Sequence, residues 1–252
     1  MVLPEQNWIV YYDETLLAVN KSAGLPALPD GYNPDAPHVK SLLEPHYGHL
    51  WIVHRLDRQT SGLMLMARSP QAHRALNDQF QSHQVNKTYH ALIVGDPLWD
   101  GTVIDLPLRP DGDRRHRTVV DQSRGKPALT DLRLLERFGC FSLVEAAPRT
   151  GRTHQVRAHL SAAGFPIVCD SLYGGGWRLI TSLQSAGSGG NDAARVGLLE
   201  RMGLHAWSLE FQHPATRSQV RLEAPYPPDF ERALEILRQF PASTVELLIS
   251  PR

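Results

Sequence analysis

The stretch Ile52-Val53-His54-Arg55-Leu56-Asp57-Arg58-Gln59-Thr60-Ser61-Gly62-Leu63-Met64-Leu65-Met66-Ala67-Arg68 decides how the rest of the chain is read. An apolar pair leads into a polar turn, and a strongly apolar run, Leu63 to Ala67, leaves it. Short apolar runs bounded by turn residues are characteristic of strands inside a sheet. The turn between them is therefore placed at the rim of a core. It carries one carboxylate, Asp57, between the guanidinium groups of Arg55 and Arg58. Opposite charges this close favour the ionised carboxylate and fix its geometry. A carboxylate on a rigid seat is suited to chemistry. Charge alone favours a plainer reading, a salt-bridged surface turn, so the remainder of the chain has to decide.

Upstream, Trp8–Tyr12 and Leu16–Asn20 are apolar stretches around Asp13-Glu14-Thr15, the pattern of a hairpin. A Pro/Gly-rich loop follows, then a short helix from Val39 that is expected to end at Glu44, before Pro45. Downstream, Ser69-Pro70 supplies an N-cap and a first-turn proline, and Ala72, Leu76 and Phe80 repeat at helical spacing, which predicts a helix over 70–83. Asn86–Gly95 reads as a strand carrying Tyr89, which by itself is an ordinary rim or core aromatic. The run 111–117 holds Arg114, Arg115, His116 and Arg117, the densest basic segment in the chain. Ala128–Arg137 and Cys140–Ala146 look like paired strands. Thr153 is the expected cap of a helix running to about Ala163, closed by Gly164 and Pro166. Arg149, Arg152, His154 and Arg157 gather around its start, a place suited to an anion or simply to a solvated helix end. The Gly/Ser-rich stretch near 181–195 is expected to be a mobile insertion. Strands resume at Leu204–Phe211 and Ser218–Glu223, and a helix over 229–240 ends the core. This order predicts an α+β (mixed) fold with a largely antiparallel central sheet flanked by helices.

Composition sets wider limits. The 252 residues are 42% hydrophobic and 21% charged, ordinary for a globular protein and enough for a sizeable core. Lys+Arg and Asp+Glu number 26 each, so the overall charge does not single out a nucleic-acid binder, although a local basic face would be enough. Cys140 and Cys169 are far apart and form no metal-type pair, which fits a reduced, cytoplasmic chain. No signal-peptide pattern opens the sequence, and no run approaches a transmembrane length. A phosphate loop, a dinucleotide glycine turn and a Gly-x-Ser-x-Gly elbow are all missing. His38, His46, His49 and His54 are crowded without regular ligand spacing, so no metal site is expected.

Four blocks then converge. Val19–Leu25 (VNKSAGL), His54–Ala67 (HRLDRQTSGLMLMA), Asn86–Gly95 (NKTYHALIVG) and Arg149–Gly174 (RTGRTHQVRAHLSAAGFPIVCDSLYG) resemble, in order, the signature segments of the RluA-type pseudouridine synthases. Gly125–Thr130 and Leu204–Pro214 match more weakly. Ser22 stands where that family usually has proline. The resemblance implies a single pseudouridine synthase catalytic domain over 1–252, with its active site in a central cleft and no separate N-terminal RNA-binding domain.

It also implies an activity. A uridine in ribosomal or transfer RNA would be converted to its carbon-linked isomer without cofactor or metal. Asp57 matches the family's essential aspartate, either attacking the sugar or taking a proton from it; either role needs the ionised form. Tyr89 matches the tyrosine that stacks on the uracil and is a candidate base for the carbon-5 proton. Arg157 matches the arginine that pairs with the aspartate. Arg55 is expected to fill the space left by the flipped-out nucleotide, since a stacked uridine hides its glycosidic bond. His54, Thr60, Arg114, Arg115, Arg149, Arg152 and His154 complete the expected substrate-binding set, Thr60 chiefly by shaping the turn and the arginines through phosphates. RNA is the expected partner of a monomer with no membrane attachment. Two other classes compete: a catalytically silent RNA-binding or ribosome-assembly protein on the same fold, and a glycoside hydrolase, which would normally need a second carboxylate beside the bond.

Overall fold

The computed structural model describes residues 8–29, 33, 35–174, 177–183, 194–239 and 245–249. They group into two compact units, each built from separated segments: Met1–Tyr89 with Leu204–Tyr226, and His90–Gly203 with Pro227–Arg252.

The first unit is organised by strand β4 (Ser61–Ala67), whose seven residues are all buried. Strands β1 (Ile9–Tyr12) and β2 (Leu16–Lys21) form the expected hairpin. In its turn the Asp13 carboxylate accepts the N–H groups of Thr15 and Leu16 at 2.7 and 2.8 Å. β2 and the short β3 (Trp51–Ile52) both run antiparallel to β4. On the edge of β4 away from β2, the edge that β3 also uses, lies β13 (Leu204–Gln212), parallel to β4, with His205 opposite Ser61 and Ala206 opposite Gly62. β14 (Gln219–Glu223) completes this part of the sheet antiparallel to β13. Leu63, Leu65 and Ala67 pack with Leu16, Leu209 and Phe211 on one face, whereas Met64 and Met66 pack with Leu17, Val39 and Leu43 on the other. A strand covered on both faces has no polar side to show, which is why β4 reads as a continuous apolar run.

Two helices cover these faces. α1 (Val39–Tyr47) starts at His38, whose Nδ1 accepts the Ser41 N–H at 3.2 Å while the Ser41 hydroxyl accepts the His38 N–H. It does not stop before Pro45 as expected but runs through it to Tyr47. A proline this close to the end forfeits one backbone hydrogen bond, and the Gly48 N–H still closes on the Glu44 carbonyl at 3.0 Å. α2 (Pro70–Gln81) is capped by Ser69, whose hydroxyl accepts the Ala72 N–H at 3.1 Å, and buries Ala72 and Leu76 against β4.

The boundary between the units falls within β5 (Asn86–Val94). In the second unit β6 (Gly101–Asp105), β9 (Leu129–Arg137) and β10 (Phe141–Pro148) form an antiparallel ladder. A separate pair joins β7 (Leu108–Arg109) to β8 (Val119–Val120). α3 (Gln155–Ala162) begins one residue later than the Thr153 cap predicts. His154 takes the N-cap place in a left-handed conformation, φ 53°. The turn before it is braced instead by Gln155, whose Oε1 accepts from the Thr150 hydroxyl at 2.7 Å and the Arg152 N–H at 3.0 Å. β11 (Trp177–Leu183), β12 (Ala194–Leu199) and β15 (Val245–Ile249) make a three-stranded antiparallel sheet, and α4 (Pro228–Gln239) is the expected terminal helix. Residues 181–183 and 194–195 of the expected mobile insertion are thus strand, with Leu183 opposite Ala194; residues 184–193 lie outside those described. The α+β class holds, with mostly antiparallel pairing and, among the described residues, four helices.

Candidate active site

The Asp57 turn is held from several directions within the first unit. The Thr60 N–H returns to the Asp57 carbonyl at 3.1 Å, and Thr60 and Ser61 are buried. The fully buried Lys21 ammonium donates to the carbonyls of Ser22 and Leu25, both at 2.9 Å, and of Arg58 at 3.2 Å. A lysine without solvent is tolerable only with such acceptors around it. Arg58 is tied to the same loop: its Nε donates to the Gly24 carbonyl at 2.9 Å, and the Gly24 N–H returns to its own carbonyl at 2.8 Å. Arg58 therefore fastens the turn, while Arg55 is exposed.

His54 faces the other way. Its Nε2 accepts the Leu65 N–H at 2.9 Å, and its ring stacks on Phe80 with centroids 4.7 Å apart. Accepting through Nε2 requires the neutral ring. Burial, helped by the nearby Lys87 charge, pushes its pKa down to about 3. At the far end of the turn the Ser61 hydroxyl meets His205 Nδ1 at 3.0 Å, and His205 Nε2 meets the Ala224 carbonyl at 3.0 Å. A carbonyl can only accept, so Nε2 carries the proton and Nδ1 takes the one from Ser61. Gly62 lies beside this pair at φ 112°; a Cβ there would fall 2.3 Å from the Ala206 carbonyl oxygen. No larger residue fits where the two backbones run so close.

Tyr89 packs on the cluster that contains Leu56, Met64 and Ala206. Burial pushes its phenol pKa up, and the Asp57 charge adds to the shift. The structure thus brings together Asp57 and Tyr89, two of the three expected catalytic residues.

The third, Arg157, lies on α3 in the second unit. It is buried and forms a two-point ion pair with the buried Asp170, Nε to Oδ2 at 2.8 Å and Nη2 to Oδ1 at 3.0 Å. Its guanidinium also lies over the Tyr173 ring, 4.9 Å from the centroid. The Tyr173 hydroxyl accepts the Thr118 N–H at 2.8 Å, donates to the Thr118 carbonyl and sits 3.2 Å from His154 Nδ1. Burial raises the Tyr173 pKa against the opposing charge of Arg157. The expected phosphate contacts differ in how engaged they are. Arg149 is held by Asp131 through two contacts, at 2.5 and 2.8 Å. Arg152 donates to the Pro127 carbonyl, Arg115 to the Ser171 carbonyl, and Arg114 is exposed.

Sequence reasoning missed Lys21, Asp170, Tyr173 and His205 as parts of this machinery. All four lie inside the quoted blocks, but only the fold reveals that three of them are buried; Tyr173 is partly so.

A family model described as RNA pseudouridylate synthase matches residues 15–162. The chain belongs to that family. It is an RNA pseudouridine synthase, an isomerase. It is 38% identical over 245 residues to the ribosomal large subunit pseudouridine synthase D of Xanthomonas campestris, covering 95% of this chain and 72% of that one. The protein of the same name from Xylella fastidiosa is 41% identical, over 92% of this synthase and 69% of its relative. Among solved structures, human RNA pseudouridylate synthase domain containing 4 superposes with a TM-score of 0.69 at 26% identity, covering 96% of this chain and 94% of that one. Human RNA pseudouridylate synthase domain containing 1 gives 0.67 at 27%, covering 94% and 98%.

Proposed function

We propose that this synthase acts on uridine in ribosomal RNA, with Asp57 as the reacting carboxylate and Tyr89 as its neighbour on the uracil. The bond between the sugar C1′ and uracil N1 breaks, the base turns, and C1′ bonds to C5. The C5 proton is lost to a base and N1 ends protonated, so atoms balance without a co-reactant. The observation that carries the assignment is the Asp57–Tyr89 juxtaposition at the rim of a core. The names of the two bacterial relatives favour ribosomal RNA over transfer RNA.

The Asp57 charge bears on what Tyr89 can do. With Asp57 ionised, the Tyr89 phenol is held protonated and is a stacking or donating group rather than a base. If Asp57 attacks the sugar its charge is lost in the ester; if it takes a sugar proton, its charge is lost in the acid. Either way the charge returns as C1′ bonds to C5, when the ester breaks or the sugar proton is given back, so an ionised Asp57 again stands beside Tyr89 when the C5 proton has to leave. Arg157, fixed by Asp170, is assigned to the same reaction, and Arg55 to the space vacated by the flipped nucleotide. The chain works as a cytoplasmic monomer in this reading. Among the described residues no helix is long and apolar enough to cross a membrane.

The test uses ribosomal RNA tritiated at C5 of uridine. Wild type should release tritium, and Asp57→Asn should not while still retaining RNA on a filter. Equal release by both proteins overturns the assignment of Asp57. Free uracil as product points to hydrolysis, and RNA retention without release by wild type points to the silent RNA-binding class.

A further inference from the structure

The formal charge balance of zero raises the question of which cations are available to RNA. Many arginines already face carboxylates: Arg109 with Asp121, Arg117 with Asp113, Arg133 with Glu145, Arg149 with Asp131 and Arg238 with Glu136. Two that do not, Arg74 and Arg217, line one polar groove in the first unit. Among the described residues neither guanidinium has an ion pair. The groove has a volume of about 450 Å³ and is bounded by Gln71, Arg74, Gln79, Gln84, Gln212 and Arg217. Asp78 is the one acid lining it, so its wall carries a net positive charge.

Both walls are fixed in place. On the α2 side, the buried Gln79 amide bridges to the end of β13: its Nε2 donates to the Gln212 carbonyl at 2.9 Å and its Oε1 accepts the Gln212 N–H at 2.8 Å. On the other side, Arg217 stands in the turn from β13 to β14 with φ 63°. That turn is organised by the buried His213. Its Nδ1 accepts the N–H groups of Ala215 and Thr216 at 3.2 and 3.1 Å, its Nε2 contacts Asp13 at 2.8 Å, and its carbonyl accepts the Arg217 N–H. The backbone bearing Arg217 is thus pre-organised, and the glutamines supply neutral donors and acceptors beside the two charges.

We propose that this groove is a second RNA site, binding the phosphodiester backbone of the substrate away from the reacting uridine. The proposal rests on the RNA activity assigned above and adds a place of contact to it. Ser61, at the end of β4 next to the Asp57 turn, pairs with His205; Gln212 lies seven residues further along β13. At roughly 3.3 Å per residue the groove is about 23 Å from that end of the strand. A single flipped nucleotide cannot reach both places, but a large folded RNA can. Guanidinium groups flanked by amides suit phosphate oxygens and sugar hydroxyls and read no base sequence. The groove therefore contributes affinity and register, not the choice of uridine.

The experiment compares wild type with Arg74→Gln, Arg217→Gln and the double variant, changes that keep polarity on exposed side chains. Two probes are used: protein-free large-subunit ribosomal RNA, and a hairpin of that RNA carrying only the modified uridine and its stem. On the long RNA the double variant should raise KM about tenfold with kcat unchanged, and should flatten the slope of log affinity against log salt by roughly one to two. On the hairpin it should match wild type. An unchanged KM and salt slope on the long RNA overturns the proposal, as does an equal loss on the hairpin. Normal binding of protein-free RNA with lost binding of protein-containing ribosomal particles would reassign the groove to a protein partner. If wild type isomerises neither probe, the activity reading fails, and filter-binding salt slopes on the long RNA still decide the groove.

Discussion

Arg157 and Asp170 form a buried two-point ion pair, and the same Asp170 Oδ1 also accepts the N–H groups of Leu172 and Tyr173 at 3.0 and 3.1 Å. One carboxylate thereby orients the α3 arginine and closes the loop behind it. Removing one partner of a buried ion pair typically costs about 3–5 kcal/mol. Asp170→Asn keeps the shape and should lose stability of about this size in denaturant unfolding. An isosteric amide that unfolds at the wild-type midpoint would mean that the pair contributes nothing net.

Tyr89 offers a direct reading of its distance from Asp57. Burial first, and then the Asp57 charge, hold the phenol protonated. Asp57→Asn removes the second cause and should lower the pH at which Tyr89 titrates. The measurement is tyrosinate absorbance against alkaline pH, taking Tyr89→Phe in each background as the blank. No difference between the two backgrounds would show that the groups do not interact.

Gly62 stands where β4 and β13 pair, opposite Ala206. An alanine would place its Cβ 2.3 Å from the Ala206 oxygen and 2.6 Å from its nitrogen, both backbone atoms that cannot step aside. Gly62→Ala is expected to cost about 3–5 kcal/mol or to prevent folding. Soluble protein with an unchanged denaturation midpoint would contradict the parallel pairing at this position.

His54 links stability to pH. Its folded pKa is about 3, well below the ordinary value of 6.5. Between these values the unfolded chain binds a proton that the folded chain does not. The contribution of His54 is therefore complete above about pH 6.5 and is lost progressively as pH falls toward 3. His54→Gln can still accept the Leu65 N–H without titrating. Unfolding free energies measured across this window should fall less steeply for the variant, and parallel curves would refute the neutral, accepting ring.

What the sequence made legible follows from what was local. The β4 run, the Ser69-Pro70 helix start and the first hairpin each carry their signal within a few neighbouring residues. So does the Asp57 turn, although the role first given to Arg58 as a charge partner gives way to its fastening of the Gly24 loop. The supports of the turn were not legible because they come from elsewhere: Ser61 and His205 are 144 residues apart, and neither flags the other. Asp170 sits among Ser171, Tyr173 and Gly174 and looks like a turn residue; only its burial reveals its use. Arg149 reads as a free cation beside a helix start, yet β9 and β10 pair in a register that sets Asp131 within reach of it. Pro45 misled because the proline rule describes a preference, and one lost hydrogen bond in a last turn is a small cost.

The parallel seam between β4 and β13 also bears on synthesis of the chain. The seat of Asp57 is completed by Leu204–Ala206, so a nascent polypeptide that has emerged only as far as α3 contains every residue assigned to catalysis but not the strand that braces the Asp57 turn. Contacts this remote in sequence form late, because loop closure has to precede them. The enzyme is therefore expected to be born inactive and to acquire its activity in one late step. A nested series of C-terminal truncations should lose activity abruptly once β13 is removed, rather than by degrees.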